Sequence, residues 1–487
     1  MRITGAIASL LVLPLLAFAC EKDDAGAGSD AGTPGFGPVS DAADDPNCVN
    51  LCKQQVFCPD AVTTLSGSVK DPSGRYPVYN AIVYIPNAPT SPIVSGPSCD
   101  RCGSVSGDPL VATITNAHGR FVLKDVPAGE DIPLVVQVGK WRRQLVVPKI
   151  IGCAVTPLTD IRLPRNHCEG DIPRIALATG GEDTMECWLR KVGLDDSEFT
   201  TEAGPGRIHL YAGSGTERTT AFDTAHGGQT LTDAEALWSD PARLSLYDLV
   251  LLSCEGEPFP AKKPPAALAA MKAFTSSGGR VLASHWHRYW WSTQGAPPSP
   301  FASFATWNDR VDPPADLDGT IDLSLPKGKA MRFWLEDKAV DAVDSTGHLS
   351  MKSAHHTVDA VDQTRAIPWV TFENANAIGQ AGVALLSANM PSDAPEDQHC
   401  GRVAYTALHA SASDVPGPPW PMGCALQEMT PEERALEFLL FDVASCVLSD
   451  RTAPAPPHAS TAPPEGGRDD SGPVAVQTPV TRGPCDD

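Results

Sequence analysis

Basic residues are scarce in this chain, with 37 lysines and arginines against 59 aspartates and glutamates, and no Lys/Arg cluster offsets the net charge of -22. A nucleic acid would be repelled by such a surface, which excludes that class of partner and leaves the acidity as a solubility device. Long apolar runs are missing as well. The stretch from Ile7 to Phe18 is mostly apolar but too short to span a bilayer comfortably, and no later stretch is apolar enough to try. Zinc-type cysteine spacing is also absent. Cys99 and Cys102 form a Cys-x-x-Cys pair, yet neither Cys153 nor Cys168 supplies the second pair a structural zinc needs. A redox pair would open a helix, whereas this one lies in a Ser/Gly/Pro loop.

What the chain does have is 14 cysteines, a number that points to an oxidising compartment. Structural disulfides are expected among Cys48, Cys52, Cys58, Cys99, Cys102, Cys153 and Cys168. With 487 residues and 42% hydrophobic content, the chain can bury two cores, so two folded domains with unstructured ends are expected. At the N-terminus, Arg2, the apolar run and Ala19-Cys20 resemble a bacterial lipoprotein signal. Residues 1–19 would be removed and Cys20 lipidated, anchoring the chain to a membrane of the cell envelope. Leu16 is displaced from its usual place in such signals, and a plain signal peptide cut after Ala19, giving a secreted protein, is the alternative. Residues 20–47 are rich in Gly, Ala, Ser, Pro and Asp and cannot bury enough surface to fold, so they read as a disordered tether. Residues 451–487 are Pro/Ala/Ser/Gly-rich and read as a disordered tail, although Cys485 remains available for oxidation.

Residues 48–168 carry short strand signals without helical periodicity. Leu65, Gly67 and Val69 alternate before the Asp71-Pro72-Ser73-Gly74 turn, and Ala81 to Ile85 form the next strand. Asn116 to Gly119 make another turn, Phe121 and Leu123 alternate, and Pro127-Ala128-Gly129 turns again. The spacing predicts an antiparallel β-sandwich. Over roughly Thr64 to Pro148 it resembles the carboxypeptidase regulatory-like domain, a small transthyretin-like sandwich, with an insertion bearing Cys99 and Cys102. The resemblance implies a stabilising or binding module.

Residues 169–450 change period. Ile175 to Ala178, Arg207 to Tyr211, Leu249 to Leu252 and Val281 to Ser284 read as buried strands, and helices are predicted over Met185–Val192 and from about Pro265 to Thr275. Asp183 is placed to cap the first helix, Thr232 and Glu235 form a capping box, and Gly278-Gly279 stops the second helix. Gly213-Ser214-Gly215 could cradle an anion but lacks a nucleotide loop's spacing, so it reads as a plain turn. A long irregular insertion from about Ser292 to Gln380 holds one helix, Gly328 to Lys338. Val383 to Ser387 and Arg402 to Leu408 are further strands, and Thr430-Pro431-Glu432-Glu433 starts a closing helix. Strands alternating with helices imply a parallel sheet whose ligand crevice lies at the strands' carboxyl ends. Polar and aromatic residues stand there: Glu255 after one strand, His285 to Trp290 after the next, and His409 after the last.

Taken in order, these elements resemble the class I glutamine amidotransferase-like fold and its trehalose-utilisation-type branch. The resemblance rests on Tyr247 to Leu252 before a Gly-containing loop, on Gly278 to Leu282 ending in a His, and on Gly401-Arg402-Val403 leading to His409. It implies a multidomain protein, an antiparallel β-sandwich plus an α/β flavodoxin-like parallel sheet with a long insertion. Members place a nucleophilic Cys where this chain has His285, and a Glu two residues beyond the base where it has Ser411. Neither residue replaces the missing chemistry, because the reaction needs a thiolate and an oriented base. Cys254 falls where the fold has an oxyanion loop. The fold also makes neighbours of the segments carrying Cys187 and Cys254, which implies a disulfide between them; two buried thiols are the competing reading. The chain further resembles envelope lipoproteins of predatory or soil-dwelling bacteria that pair these two domains.

The expectation is therefore a non-catalytic binding protein whose crevice is lined by His285, His287, Trp290, Glu255 and His409, taking a small molecule, a glycan or an envelope protein. An enzyme, a hydrolase or isomerase using His285, His287 and His409 as a metal or acid/base centre, is the second hypothesis, with His285, His409 and Glu255 as the candidate catalytic residues; a purely structural envelope protein is the third. His285 and His287 alternate, so an extended backbone would put both on one side, able to join His409 at a shared ion. A turn there would instead leave them bonding backbone and packing against Trp286, Trp290 and Trp291. No metal and no cofactor are expected.

Overall fold

The computed structural model describes residues 48–292, 298–336, 343–352, 354–377, 379–410, 413–425, 427–457 and 474–476. Cys20, Lys338, Ser411 and Cys485, each named above, lie outside them. The described residues form one compact unit.

The N-terminal half supplies strands β1 (Thr64–Lys70), β2 (Ile82–Pro86), β3 (Pro109–Ile114), β4 (Arg120–Lys124), β5 (Gly129–Val138), β6 (Trp141–Ile150), β7 (Val155–Thr159) and β8 (Ile161–Arg162). They make two sheets, one ordered β3-β2-β5-β6 and antiparallel throughout. The other is mixed: β4 runs antiparallel to β1, but β7 and β8 both run parallel to it. The wholly antiparallel sandwich is corrected on this point, because the chain crosses over through β5 and β6 before returning to the first sheet. Alternation sets the faces. In β4, Phe121 and Leu123 are buried while Val122 between them is 51% exposed.

The second half contributes β9 (Ile175–Ala178), α1 (Met185–Val192), β10 (Phe199–Thr200), β11 (Ile208–Ala212), β12 (Thr232–Asp233), α2 (Ala234–Trp238), α3 (Pro241–Leu244), β13 (Leu249–Leu252), α4 (Pro265–Ser276) and β14 (Arg280–Ser284). After these come β15 (Ala305–Trp307), β16 (Leu317–Ile321), α5 (Pro326–Leu335), β17 (His348–Met351), β18 (Val358–Val361), β19 (Ile367–Glu373), β20 (Ala381–Met390), β21 (Gly401–Thr406) and α6 (Pro431–Ala444). The large sheet is ordered β10-β11-β9-β13-β14-β21-β20-β19-β16-β17. From β10 to β21 neighbours are parallel, and from β21 to β17 they are antiparallel. The purely parallel sheet is thereby corrected to a mixed one, and the insertion is not irregular: β16, β17 and β19 carry the sheet onward. In the expected tail, β22 (Val474–Ala475) pairs with β7 in parallel.

β9, β11, β13, β14 and β21 are buried on both faces, as near-continuous apolar runs require. Ile175, Leu177, Leu249, Leu251 and Leu282 face one core, while Ala176, Ala178, Val250, Leu252, Val281 and Ala283 face the other. The first core continues through α1 and α6 into the sandwich. Tyr79 stacks on Phe438 at 5.7 Å and Trp141 meets Phe441 edge-on at 5.9 Å. Two glycines mark how close the halves come. A Cβ on Gly139 (φ 53°) would lie 1.8 Å from the Ala444 carbonyl, and one on Gly278 (φ 112°) would meet the Ser98 carbonyl at 2.2 Å.

Caps are partly as expected. Thr430 and Glu433 make the reciprocal capping box of α6, but α2 is capped by Asp233, whose carboxylate accepts from Glu235 N, so the proposed Thr232–Glu235 box does not form. The disulfides bind the halves together: Cys99–Cys400 and Cys102–Cys446 run from the sandwich insertion to the α/β layer, while Cys48–Cys52 and Cys58–Cys153 stay local. These bonds and the oxidising compartment they require are those of a protein outside the cytoplasm. Among the described residues, no helix is long and apolar enough to cross a membrane.

One contact between the halves carries a pH signature. Burial, together with the charge of Asp71 from the β1 turn, pushes the Glu437 carboxyl of α6 well above its usual range. A raised carboxyl binds a proton in the fold that the unfolded chain has already lost, so stability falls as pH rises from about 4.3 toward the folded value, by up to about 1.4 kcal/mol per unit. Glu437→Gln should therefore gain in melting temperature over the native chain as pH goes from 5 to 8. Parallel pH profiles for the two would contradict the assignment.

Candidate functional site

β13, β14 and β21 end side by side, and the residues just past their carboxyl ends form the site. Ser284 closes β14, and His285 follows with φ 34°, a left-handed backbone that costs a non-glycine residue about 1–3 kcal/mol. The segment then coils into a 3-10 turn, His285–Trp290. β21 stops at Thr406 because its hydroxyl takes over the next bonds, accepting from Leu408 N and donating to Leu408 O, and this swings His409 toward His285. Their ring centres are 5.4 Å apart. Cys254, two residues past β13, puts its sulfur 3.5 Å from His285 Nδ1.

The insertion adds a third imidazole. His355 N donates to Ala407 O at 3.0 Å, which lays the insertion against the end of β21. The His355 ring then stacks on His285 at 3.8 Å with 10° between planes, and lies 4.7 Å from His409. Asp312 Oδ2 accepts from His355 Nδ1 at 2.9 Å, which leaves Nε2 carrying the lone pair. These groups, with Glu182, Trp286 and Arg310, line an open crevice of about 300 Å³.

Asp183 holds the arrangement. It is fully buried, its Oδ2 accepts from Cys254 N at 2.9 Å and its Oδ1 accepts from Ala410 N at 2.7 Å. Its expected role as a helix cap is corrected: Thr184 is the N-cap of α1, and the carboxylate instead joins the loops after β13 and β21. Burial lowers His285 to about 2, with His355 and His409 adding to the effect, and burial also lowers His355. Burial likewise pushes the Cys254 thiol above its ordinary range. At neutral pH, His285 and His355 are neutral and the sulfur keeps its proton.

Of the five residues expected to line the crevice, His285 and His409 do. The other three lie beneath it. Glu255 is buried, paired with Lys263 and accepting from Ser214 N at 2.7 Å, so the Gly213-Ser214-Gly215 turn does cradle an anion, the chain's own carboxylate. His287 donates from Nε2 to Ser253 O at 3.0 Å and accepts at Nδ1 from Trp290, and burial lowers it to about 4. Trp290 is fully buried and packs edge-on against Trp238 at 5.4 Å. The 3-10 turn is the reason: it rotates His287 away from the face His285 shares with His409.

The implied Cys187–Cys254 disulfide is also corrected. Cys187 is bonded to Cys424, while Cys254 is a buried free thiol. The inward face of α1 looks toward the loop before α6, and Cys254 points across the strand ends toward His285. His355 and Asp312 went unread in the sequence, although the His355-His356 pair inside a stretch of otherwise weak pattern was the available signal.

No protein-family model matches the sequence, and no curated protein matches it. Solved structures similar to this chain include a cytoplasmic protein of Salmonella typhimurium, at 13% identity over 56% of this chain and 100% of that one, with a TM-score of 0.29. A ThuA-like protein of Bacteroides uniformis aligns at 10% identity over 55% of this chain and 90% of its own, with a TM-score of 0.28. A carbohydrate deacetylase aligns at 10% identity over 49% of this chain and 30% of its own, with a TM-score of 0.26. Likeness this weak carries no weight for fold or function.

The cysteine pattern can be checked directly. Alkylation after denaturation without reductant should label Cys254, and peptide mapping should recover Cys187 joined to Cys424. A Cys254-containing disulfide peptide would contradict the site as drawn.

Proposed function

We propose that the chain is a binding protein of the cell envelope, anchored through a lipid on Cys20, whose crevice captures a small polar molecule on a degenerate amidotransferase-like scaffold. The parallel strands of four or more residues, numbered in chain order, lie as 2-1-3-4-5 (β11-β9-β13-β14-β21), with the two-residue β10 and β12 pairing beside β11, an order that supports the flavodoxin-like, trehalose-utilisation-type reading of the α/β layer. The N-terminal sandwich fits a carboxypeptidase regulatory-like module that braces this layer through α6.

The observation that carries the reading is the identity of the groups at the nucleophile position. His285 sits there with the strained backbone that such a position imposes, yet it is a neutral imidazole. Cys254 beside it is buried and protonated, whereas acyl transfer needs an exposed thiolate. The crevice does offer recognition: a guanidinium from Arg310, carboxylates from Glu182 and Asp312, imidazole donors and the face of Trp286. That combination suits a hydroxyl-rich ligand such as a glycan. A hydrolase remains the second reading, favoured by the Asp312–His355 pair, in which a carboxylate orients an imidazole at the crevice wall.

The native protein should release no ammonia from glutamine beyond the level of His409→Ala, and His285→Cys should not create the activity. Ammonia release above that control would overturn the binding reading in favour of an amidotransferase. For the anchor, metabolic labelling with a fatty-acid analogue should tag Cys20, and a mature protein with a free, unmodified Cys20 would refute it.

A further inference from the structure

One ligand atom from each of Cys254, His285 and His409 lies within 4.8 Å of the other two. Cys254 Sγ and His285 Nδ1 are 3.5 Å apart. A tetrahedral ion with sulfur at about 2.3 Å and nitrogen at about 2.0 Å holds those two donors about 3.5 Å apart, the separation this pair already has. His409 Nε2 adds an independent sign. It is buried without a hydrogen-bond partner, a state that costs a polar atom about 1–3 kcal/mol unless something fills it.

The surroundings also suit a cation. Burial and the charge of Asp183 raise the Cys254 thiol, and the backbone N–H groups of Trp286 and Gly256 that face the sulfur act against that rise. Asp183 fixes the backbone next to both Cys254 and His409, so two of the three donors are held from one point. Its oxygens are spent on those N–H groups, which leaves a nitrogen and sulfur donor set with no carboxylate in it. Hard ions such as magnesium and calcium take oxygen ligands, whereas imidazole and thiolate select a borderline-soft ion.

We propose that Cys254, His285 and His409 bind one zinc ion, with a fourth position open to the crevice beside His355. Three protein donors plus an open position is the arrangement of zinc sites that take an exogenous ligand rather than of closed structural ones. The ion goes beyond the binding reading above and is independent of it, because it can be held whether or not an organic molecule enters. It also departs from the expectation of a metal-free site, which weighed His287 as the partner of His285 and did not consider Cys254.

The test uses the full chain, stripped with a chelator and titrated with cobalt(II), which reports sulfur ligation by colour. One equivalent should produce a thiolate-to-cobalt charge-transfer band in the near ultraviolet together with the intense visible bands of tetrahedral cobalt, and zinc should bleach both. Cys254→Ser, close to isosteric, should lose the charge-transfer band. His409→Ala should weaken zinc binding about ten-fold or more, at least about 1.4 kcal/mol. Wild-type protein with native circular dichroism that gives no charge-transfer band would overturn the proposal without recourse to any variant. A band that survives in Cys254→Ser would overturn it as well.

Discussion

The carboxylate of Asp183 is the constraint on which the crevice depends. It sits at the start of the helix after β9 and bonds the backbone of the loops that follow β13 and β21. Those loops carry Cys254 and His409, so the separation of the two side chains is set by a third residue that touches neither sulfur nor ring. A buried carboxylate without partners would be costly; here it satisfies two buried N–H groups at once. Thr184 reinforces the same junction through the Ala410 carbonyl.

Around this junction the chain is built as one body from two unlike halves. α6 lies between the sandwich and the sheet, and is buried along nearly its whole length. Its far end is tied by charge: Lys327 of α5 and Arg402 of β21 are both buried and both pair with Asp442 and Asp450, two cations against two anions with no water needed to balance them. Removing one partner of such a set strands the others, at a cost of about 3–5 kcal/mol. The Cys99–Cys400 and Cys102–Cys446 bonds close loops of 301 and 344 residues, so in the chain-entropy account either bond alone restrains the unfolded chain by about 6 kcal/mol. A crevice formed where loops meet keeps its shape when the scaffold beneath it is cross-linked in this way.

How much of this could be read from the residues alone follows from burial. β9, β13 and β14 were legible because Ile-Ala-Leu-Ala, Leu-Val-Leu-Leu and Arg-Val-Leu-Ala-Ser are short apolar runs bounded by turn residues, and α6 because its capping box and Pro mark its start. His285 and His409 were legible as the first chemical groups past strand ends. Glu255, His287 and Trp290 have equal claim by position, and only the fold reveals that Lys263 and Ser214 N satisfy the first, Ser253 O and Trp290 the second, and Trp238 the third. His355 and Asp312 were hidden for another reason. β17 and β18, which flank His355, have four residues each, too few for alternation to stand out, and the Ala407 contact that brings His355 to the site spans 52 residues (407 − 355). Cysteine pairing failed in the same way, since Cys187 and Cys424 are 237 residues apart.

The binding we propose requires that this crevice hold a ligand between its imidazoles and Arg310. The most direct measurement is an experimental electron-density map of the protein purified from its native host without added ligands. The account predicts discrete density for a non-protein species between the imidazoles of His285, His355 and His409 and the guanidinium of Arg310. A well-ordered crevice containing only the scattered density of bulk-like water, in protein confirmed to be intact, would contradict it.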